Sequence, residues 1–149
     1  MSSPYEKILG VLDDHEFEEL DHEPVITSEE AAAVRGLSQN EGMKSLLLRD
    51  NHGSFVLVVV RGDNKLYTNK VRKHLGVRDL RFATPDQVQD VMGVAIGACY
   101  PLGVVANVPM IVDDSFEGNE FVSFNPGLHE KTIRMRWKDY KKALDPELV

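Results

Sequence analysis

Apolar residues recur along this chain at two spacings. Over residues 4–14, Tyr5, Ile8, Leu9 and Leu12 fall three or four positions apart behind Ser3, whose hydroxyl can cap a helix, so an amphipathic helix is predicted. Residues 17–20 read as a short extended segment. Thr27, Ser28, Glu29 and Glu30, followed by three alanines, have the composition of a capped helix start, with Gly36 near its end. Over residues 44–49 and 54–60, β-rich runs flank Asp50-Asn51-His52-Gly53, a turn-forming tetrapeptide, and an antiparallel hairpin is predicted.

Residues 68–75 fit a basic helix closed by Gly76, and Thr84-Pro85-Asp86 opens another helix with proline in its first turn. Residues 108–112, 120–124 and 132–136 are strand candidates, and residues 138–144 close the chain as a helix. Strands interleaved with short helices indicate an α/β fold, a single domain over residues 1–149 with a mixed β-sheet flanked by helices. A chain of this length buries roughly two thirds of its unfolded surface in one core.

Charge changes the picture of possible partners. Seventeen basic against 24 acidic side chains give −7, which opposes broad attraction to nucleic acid while leaving room for a local basic face. Lys65, Lys70, Arg72, Lys73 and Arg78 gather mid-chain, and Arg134, Arg136, Lys138, Lys141 and Lys142 gather near the end. Solvated helix faces fit these clusters as well as a nucleic-acid surface does. No apolar stretch approaches the roughly 18 residues of a membrane span, so a cytoplasmic protein with no membrane partner is expected. The single cysteine, Cys99, excludes an internal disulfide and any C-x-x-C pair. His15, His22, His52, His74 and His129 lack metal-ligand spacing, so neither metal nor cofactor is expected.

Two features carry candidate chemistry. The run Gly93-Val94-Ala95-Ile96-Gly97-Ala98-Cys99-Tyr100-Pro101-Leu102-Gly103 combines glycines, which open backbone conformations closed to other residues, with a proline that fixes φ. Such a loop can present a row of backbone N–H groups to a ligand, or serve only as a tight connection. The second feature is Lys44, a cation inside an apolar strand, which needs a partner or a task. Neither a G-x-S-x-G elbow nor a P-loop is present. Cys99 with His129 as its base would make a nucleophile pair, although a small thiol on a tight turn is usually just packed.

Lys44, the glycine loop, Asp113-Asp114 and Asn125-Pro126-Gly127-Leu128-His129 together resemble the YbaK/aminoacyl-tRNA synthetase-associated domain family. That family includes stand-alone prolyl-tRNA editing proteins and the editing insertion of bacterial prolyl-tRNA synthetases. The order along the chain is the same. His22-Glu23-Pro24 is followed by the lysine strand, then Gly93, Gly97 and Pro101, then Val-Asp-x-Ser at residues 112–115, then Gly127 and His129. The resemblance runs from His22 to Leu144.

It implies a YbaK-like fold and a metal-independent hydrolase acting on aminoacyl-tRNA, with tRNA-Pro as the expected carrier and a synthetase as a further partner. The ester of a wrong small amino acid would be cleaved, with backbone donors of the loop stabilising the oxyanion. By resemblance, Lys44, Gly97, Asp113 and His129 are the catalytic candidates, with Lys44 holding the terminal adenosine. Ser45, Gly93, Ala98, Cys99, Tyr100, Pro101 and Gly127 would contact substrate, and the mid-chain basic cluster would touch tRNA through Lys70 and Lys73. Asp113 as a cap before Ser115, and His129 as an ordinary turn residue, stay open as alternatives. Ser45 stands where alanine-clearing members carry asparagine, and Tyr100 where synthetase insertions have glycine, so alanine, cysteine, serine and other small residues all remain open as the amino acid. A non-catalytic tRNA- or synthetase-binding module of the same fold is the alternative.

Overall fold

The computed structural model describes residues 2–23 and 39–149. The helix expected over residues 27–36 and Pro24 of the His-x-Pro sequence lie outside the described residues. Helix α1, Pro4–Val11, starts as its sequence requires, with the Ser3 hydroxyl accepting from Glu6 N. It stops three residues short of the expected end. Asp13 and Asp14 would otherwise meet the negative end of the helix dipole, and its last turn holds no basic residue to offset them.

Strand β1 is Glu18–Asp21. The hairpin forms from β2, Met43–Asp50, and β3, Phe55–Arg61, with Met43 opposite Arg61 and Arg49 opposite Phe55. Its turn is held by Asp50 Oδ1, which accepts from His52 N at 2.8 Å and Ser54 N at 2.9 Å. Helix α2, Thr68–Leu75, ends at Gly76 in the left-handed region, φ 68°. Strand β4, Leu80–Phe82, follows. Helix α3, Pro85–Met92, carries a reciprocal capping box between Thr84 and Gln87. Then come α4, Gly103–Ala106, β5, Met110–Val112, β6, Phe121–Phe124, β7, Lys131–Arg136, α5, Trp137–Leu144, and β8, Glu147–Leu148. None of these helices is long and apolar enough to cross a membrane.

The strands divide between two sheets. The larger has the order β4-β2-β3-β5-β8 and is mixed: β4, β2 and β3 pair antiparallel, while β3, β5 and β8 run parallel. The smaller, β1-β7-β6, is antiparallel throughout. Among the described residues a single bridge, between Gly42 and Ser123, joins them, so the expected mixed sheet is accompanied by a second one. Alternation along β2 sorts its side chains. Met43 and Leu47 enter the main core with Leu57, Val59, Val112 and the inward residues of the smaller sheet. Leu48 joins Val56, Val58, Val60 and Ile111 beneath Val71 of α2. Because neighbours in a strand point to opposite faces, Lys44 lies on the α2 face and Ser45 on the main-core face.

Gly62 closes the end of β3 against the turn before β2, donating its N–H to the Gly42 carbonyl at 2.7 Å. A Cβ there would sit 2.3 Å from the Gln39 carbonyl oxygen and 3.2 Å from that of Gly42. Backbone on both sides leaves no flexible group to yield. We expect Gly62→Ala to lower the unfolding free energy by about 1 to 3 kcal/mol in urea titrations, with an unchanged m value. A variant as stable as wild type would contradict this packing.

Candidate active site

The glycine loop is fixed at both ends by tyrosine hydroxyls. Tyr100 is buried, and its Oη donates to the Met92 carbonyl at 2.8 Å, at the end of α3. Tyr140 of α5 donates to the Pro101 carbonyl at 2.6 Å. Its ring is set by stacking on Trp137 at 5.6 Å and an edge contact with Phe124 at 6.2 Å. Burial pushes the Tyr100 hydroxyl up to about 12, the nearby Cys99 adding to it, and burial raises Tyr140 as well. Both therefore stay protonated as donors at neutral pH. Between these anchors, Val94, Ala98 and Leu102 point inward while Ala95, Ile96 and Gly97 are exposed. Gly93 and Gly97 take φ of 71° and 90°, where a side chain is strained.

A second turn abuts the loop. Asn125 Oδ1 accepts from Gly127 N at 2.9 Å and Leu128 N at 2.8 Å. This holds Gly127 at φ 90°, where a Cβ would lie 3.4 Å from Val94 Cγ1 and 3.7 Å from Tyr100 Cδ1. Gly127 and the loop residues are thus brought together, with half-buried His129 two residues on. Upstream, His22 hydrogen-bonds through Nε2 to Thr132 Oγ1 at 2.7 Å, which fixes the entry to the His-x-Pro sequence on β7.

Lys44 belongs to a different network. Its Nζ donates to the Asn64 carbonyl at 2.7 Å, and no carboxylate pairs with it among the described residues. Asn64 Nδ2 in turn donates to Asp113 Oδ2 at 3.0 Å and Ser115 Oγ at 2.9 Å. Asp113 also caps the 3-10 turn Asp114–Gly118 by accepting from Ser115 N at 3.0 Å. Partial burial pushes its carboxyl up, but hydrogen bonds from Asn64, Ser115 and Arg61 outweigh this and hold it below the usual range. The capping alternative for Asp113 is therefore realised, together with a link to Lys44 through Asn64. On the opposite face of β2, the Ser45 hydroxyl is buried and has no hydrogen-bond partner among the described residues.

The candidates accordingly fall into two groups. Gly93, Gly97, Ala98, Cys99, Tyr100, Pro101 and Gly127 adjoin on one side, while Lys44 and Asp113 share a network on the other. Tyr100 is committed to the core through its side chain and can meet a ligand only by its backbone. Cys99 is half-buried, and burial pushes its thiol up to about 11, which leaves it protonated near neutrality. Among the described residues no group of three or more His, Cys, Asp or Glu could hold a metal.

The C-terminal basic cluster is not one helix face. Arg134 and Arg136 lie on β7, on the strand expected over residues 132–136, and pair with Glu41 and Glu120; Lys141, on α5, pairs with Glu117. On α2, exposed Lys70 and Lys73 have no carboxylate partner among the described residues. Sequence reasoning missed Asn64, Arg61 and Tyr140. Tyr140 carried a usable signal, one turn beyond Trp137 on a predicted helix, whereas Asn64 sits in an Asp-Asn-Lys turn that could face anywhere.

A profile of the aminoacyl-tRNA editing domain matches residues 22–143. The multifunctional Ser/Thr-tRNA deacylase ProXp-y of Escherichia coli (strain K12) is 24% identical over 154 aligned residues, 99% of this chain and 92% of that protein. The prolyl-tRNA editing protein ProX of Acetoanaerobium sticklandii is 29% identical over 130 residues, 84% of this chain and 79% of that one. A proline–tRNA ligase of Thermosipho melanesiensis is 36% identical over 112 residues, 74% of this chain and 20% of the ligase. Among solved structures, a candidate trans-editing enzyme for prolyl tRNA synthetase superposes with a TM-score of 0.85 at 25% identity, covering 100% of this chain and 96% of that one.

A thiol with its pKa near 11 is almost wholly protonated at neutral pH. We expect Cys99 to react with iodoacetamide at pH 7.5 at least about tenfold slower than a free cysteine of pKa near 8.5, with the rate rising steeply above pH 10. Rapid alkylation at neutral pH would show an activated thiol and return Cys99 to candidacy as a nucleophile.

Proposed function

The chain belongs to the aminoacyl-tRNA editing domain family, and from that membership we propose that it is a trans-editing deacylase, hydrolysing the ester of a mischarged small amino acid on tRNA. The observation that carries this reading is the span of the likeness. The family profile covers residues 22–143, and the alignment takes in 92% of a Ser/Thr-tRNA deacylase and 79% of a prolyl-tRNA editing protein. The prolyl-tRNA relatives favour tRNA-Pro as carrier and a prolyl-tRNA synthetase as the source of the mischarged tRNA.

In this reading the ester carbonyl lies at the loop around Gly97. Hydrolysis builds negative charge on that oxygen, and a fixed backbone N–H directed at it is worth about 3 to 4 kcal/mol. The tyrosine anchors supply the fixity. Water attacks the carbonyl carbon, the bond to the ribose 3′ oxygen breaks, and the water proton passes to that leaving oxygen, with His129 as its carrier. No metal enters the reaction. Lys44 holds a phosphate of the terminal nucleotide, exchanging the neutral Asn64 carbonyl for a charge-assisted contact without breaking an ion pair. Ser45, whose hydroxyl has no partner among the described residues, faces the side on which the amino acid enters. Pocket size alone separates small side chains by about 1 to 3 kcal/mol per methylene, so polar contacts of this kind would decide which one is cleared.

Incubation with mischarged tRNA-Pro and a panel of other tRNAs carrying small amino acids tests the reading. Release of at least one amino acid, unaffected by EDTA, is expected; no release from any member would overturn it. Lys44→Ala should lower kcat/KM by about a hundredfold or more while the melting temperature stays within a few degrees, because its Nζ pairs with a carbonyl and not a buried acid. Charge reversal of Lys70 and Lys73 to glutamate should raise KM for aminoacyl-tRNA and leave a minimal aminoacyl-adenosine nearly unaffected. Equal loss on both substrates would remove these lysines from tRNA contact.

A further inference from the structure

The face of the larger sheet that carries Lys44 has a pocket beside α2 that ester hydrolysis does not use. It encloses about 230 Å³. Its floor is apolar, formed by Val58, Val60, Val71 and Ile111, all buried. At its rim stands Tyr67, 66% exposed although it is a large aromatic, and its side chain does not cap the helix it precedes. Lys65 and Lys70 share the rim, both exposed and without a carboxylate partner among the described residues. Asn64 and Asp113 form one end.

An aromatic face over an apolar slot, flanked by cations, has the chemistry of a single-stranded nucleic-acid site: the base stacks and the phosphates on either side meet the lysines. An acidic protein with a formal charge of −7 repels nucleic acid elsewhere, so these unpaired lysines select where a strand can settle. At the end of the slot, both Asn64 Nδ2 hydrogens are engaged by Asp113 and Ser115, so the Asn64 Oδ1 and the Asp113 carboxylate offer acceptors to the amino group of a base edge. Asn64 is also the residue whose carbonyl holds Lys44, so a base in this pocket puts the backbone next to it within the Lys44 neighbourhood.

We propose that this pocket binds one unpaired base of the tRNA 3′ end, stacked on Tyr67, with the adjoining phosphates on Lys65 and Lys70. The proposal rests on the deacylase reading for the identity of its RNA. A fluorescein-labelled, uncharged single-stranded ACCA RNA serves as probe, its affinity read by anisotropy on the whole protein. Tyr67→Ala should weaken binding about five- to a hundredfold at an unchanged melting temperature, and Tyr67→Phe should restore it, since the stacking ring is retained. Lys70→Gln should reduce the log-log salt slope by about 0.7.

Three results would overturn the proposal: wild type that does not bind the RNA, Tyr67→Ala that binds as tightly as wild type, or AMP competing as well as ACCA, which would make this a mononucleotide site. The probe carries no ester, so the two readings fail separately. Tyr67-dependent binding by a protein that clears no mischarged tRNA would support the pocket and remove the deacylase. Clearance accompanied by Tyr67-independent binding would do the reverse.

Discussion

A tyrosine hydroxyl removed from water must find an acceptor or cost about 1 to 3 kcal/mol, and the Tyr140 hydroxyl finds the carbonyl of Pro101. That bond couples the glycine-rich loop to an aromatic cluster. Phe116, Trp137 and Tyr140 stack in sequence and Phe124 meets Tyr140 edge-on, so the loop inherits its position from α5 and β6. Tyr100 fixes the other side by donating to Met92 at the end of α3. Glycines at 93, 97 and 103 would otherwise make this segment costly to order, since each loses more backbone freedom on folding than any other residue. Two buried hydroxyls turn a loose loop into a preorganised one.

Strand β2 is the wall between two chemistries. Strand alternation sends Lys44 toward α2 and Ser45 toward the main core, so adjacent residues address opposite faces. On the loop side the chain offers backbone groups and a buried hydroxyl. On the α2 side it offers Lys44, Asn64, Asp113 and an exposed tyrosine flanked by exposed lysines. An aminoacyl-tRNA end is itself two-sided, with a small ester at its tip and a polyanion behind it. In the proposed reading the ester meets one face and the phosphates the other, which keeps the phosphate charge away from the developing oxyanion.

Much of the fold could be read from local chemistry. Ser3, Thr84 and Gly76 act as the caps that their residue types announce, and Asp50-Asn51-His52-Gly53 closes the hairpin in the expected place. Strands β4 and β8 escaped because three and two residues are too few to show a period. The division into two sheets escaped because periodicity identifies strands and not their partners. Family membership was legible in the order of several weak motifs. The side of the sheet on which each motif falls was not: motif order places Lys44 and Gly97 in one list, whereas alternation along β2 sends Lys44 away from the loop. Arg134 and Arg136 fall on the strand that the alternation of Ile133 and Met135 announces, so the C-terminal basic run, grouped by charge alone, is divided between β7 and α5.

The central claim is that the ester meets the glycine loop while the nucleic acid lies against β2 and α2. Backbone NMR with a non-hydrolysable 3′-aminoacyl-adenosine 5′-monophosphate, its ester replaced by an amide, tests this most directly. The largest amide shift changes are expected at residues 95–100 and 127–129, with a second set at Lys44 and Asn64. Saturable binding whose shifts leave the loop untouched would contradict it, and would place the ester elsewhere in the molecule.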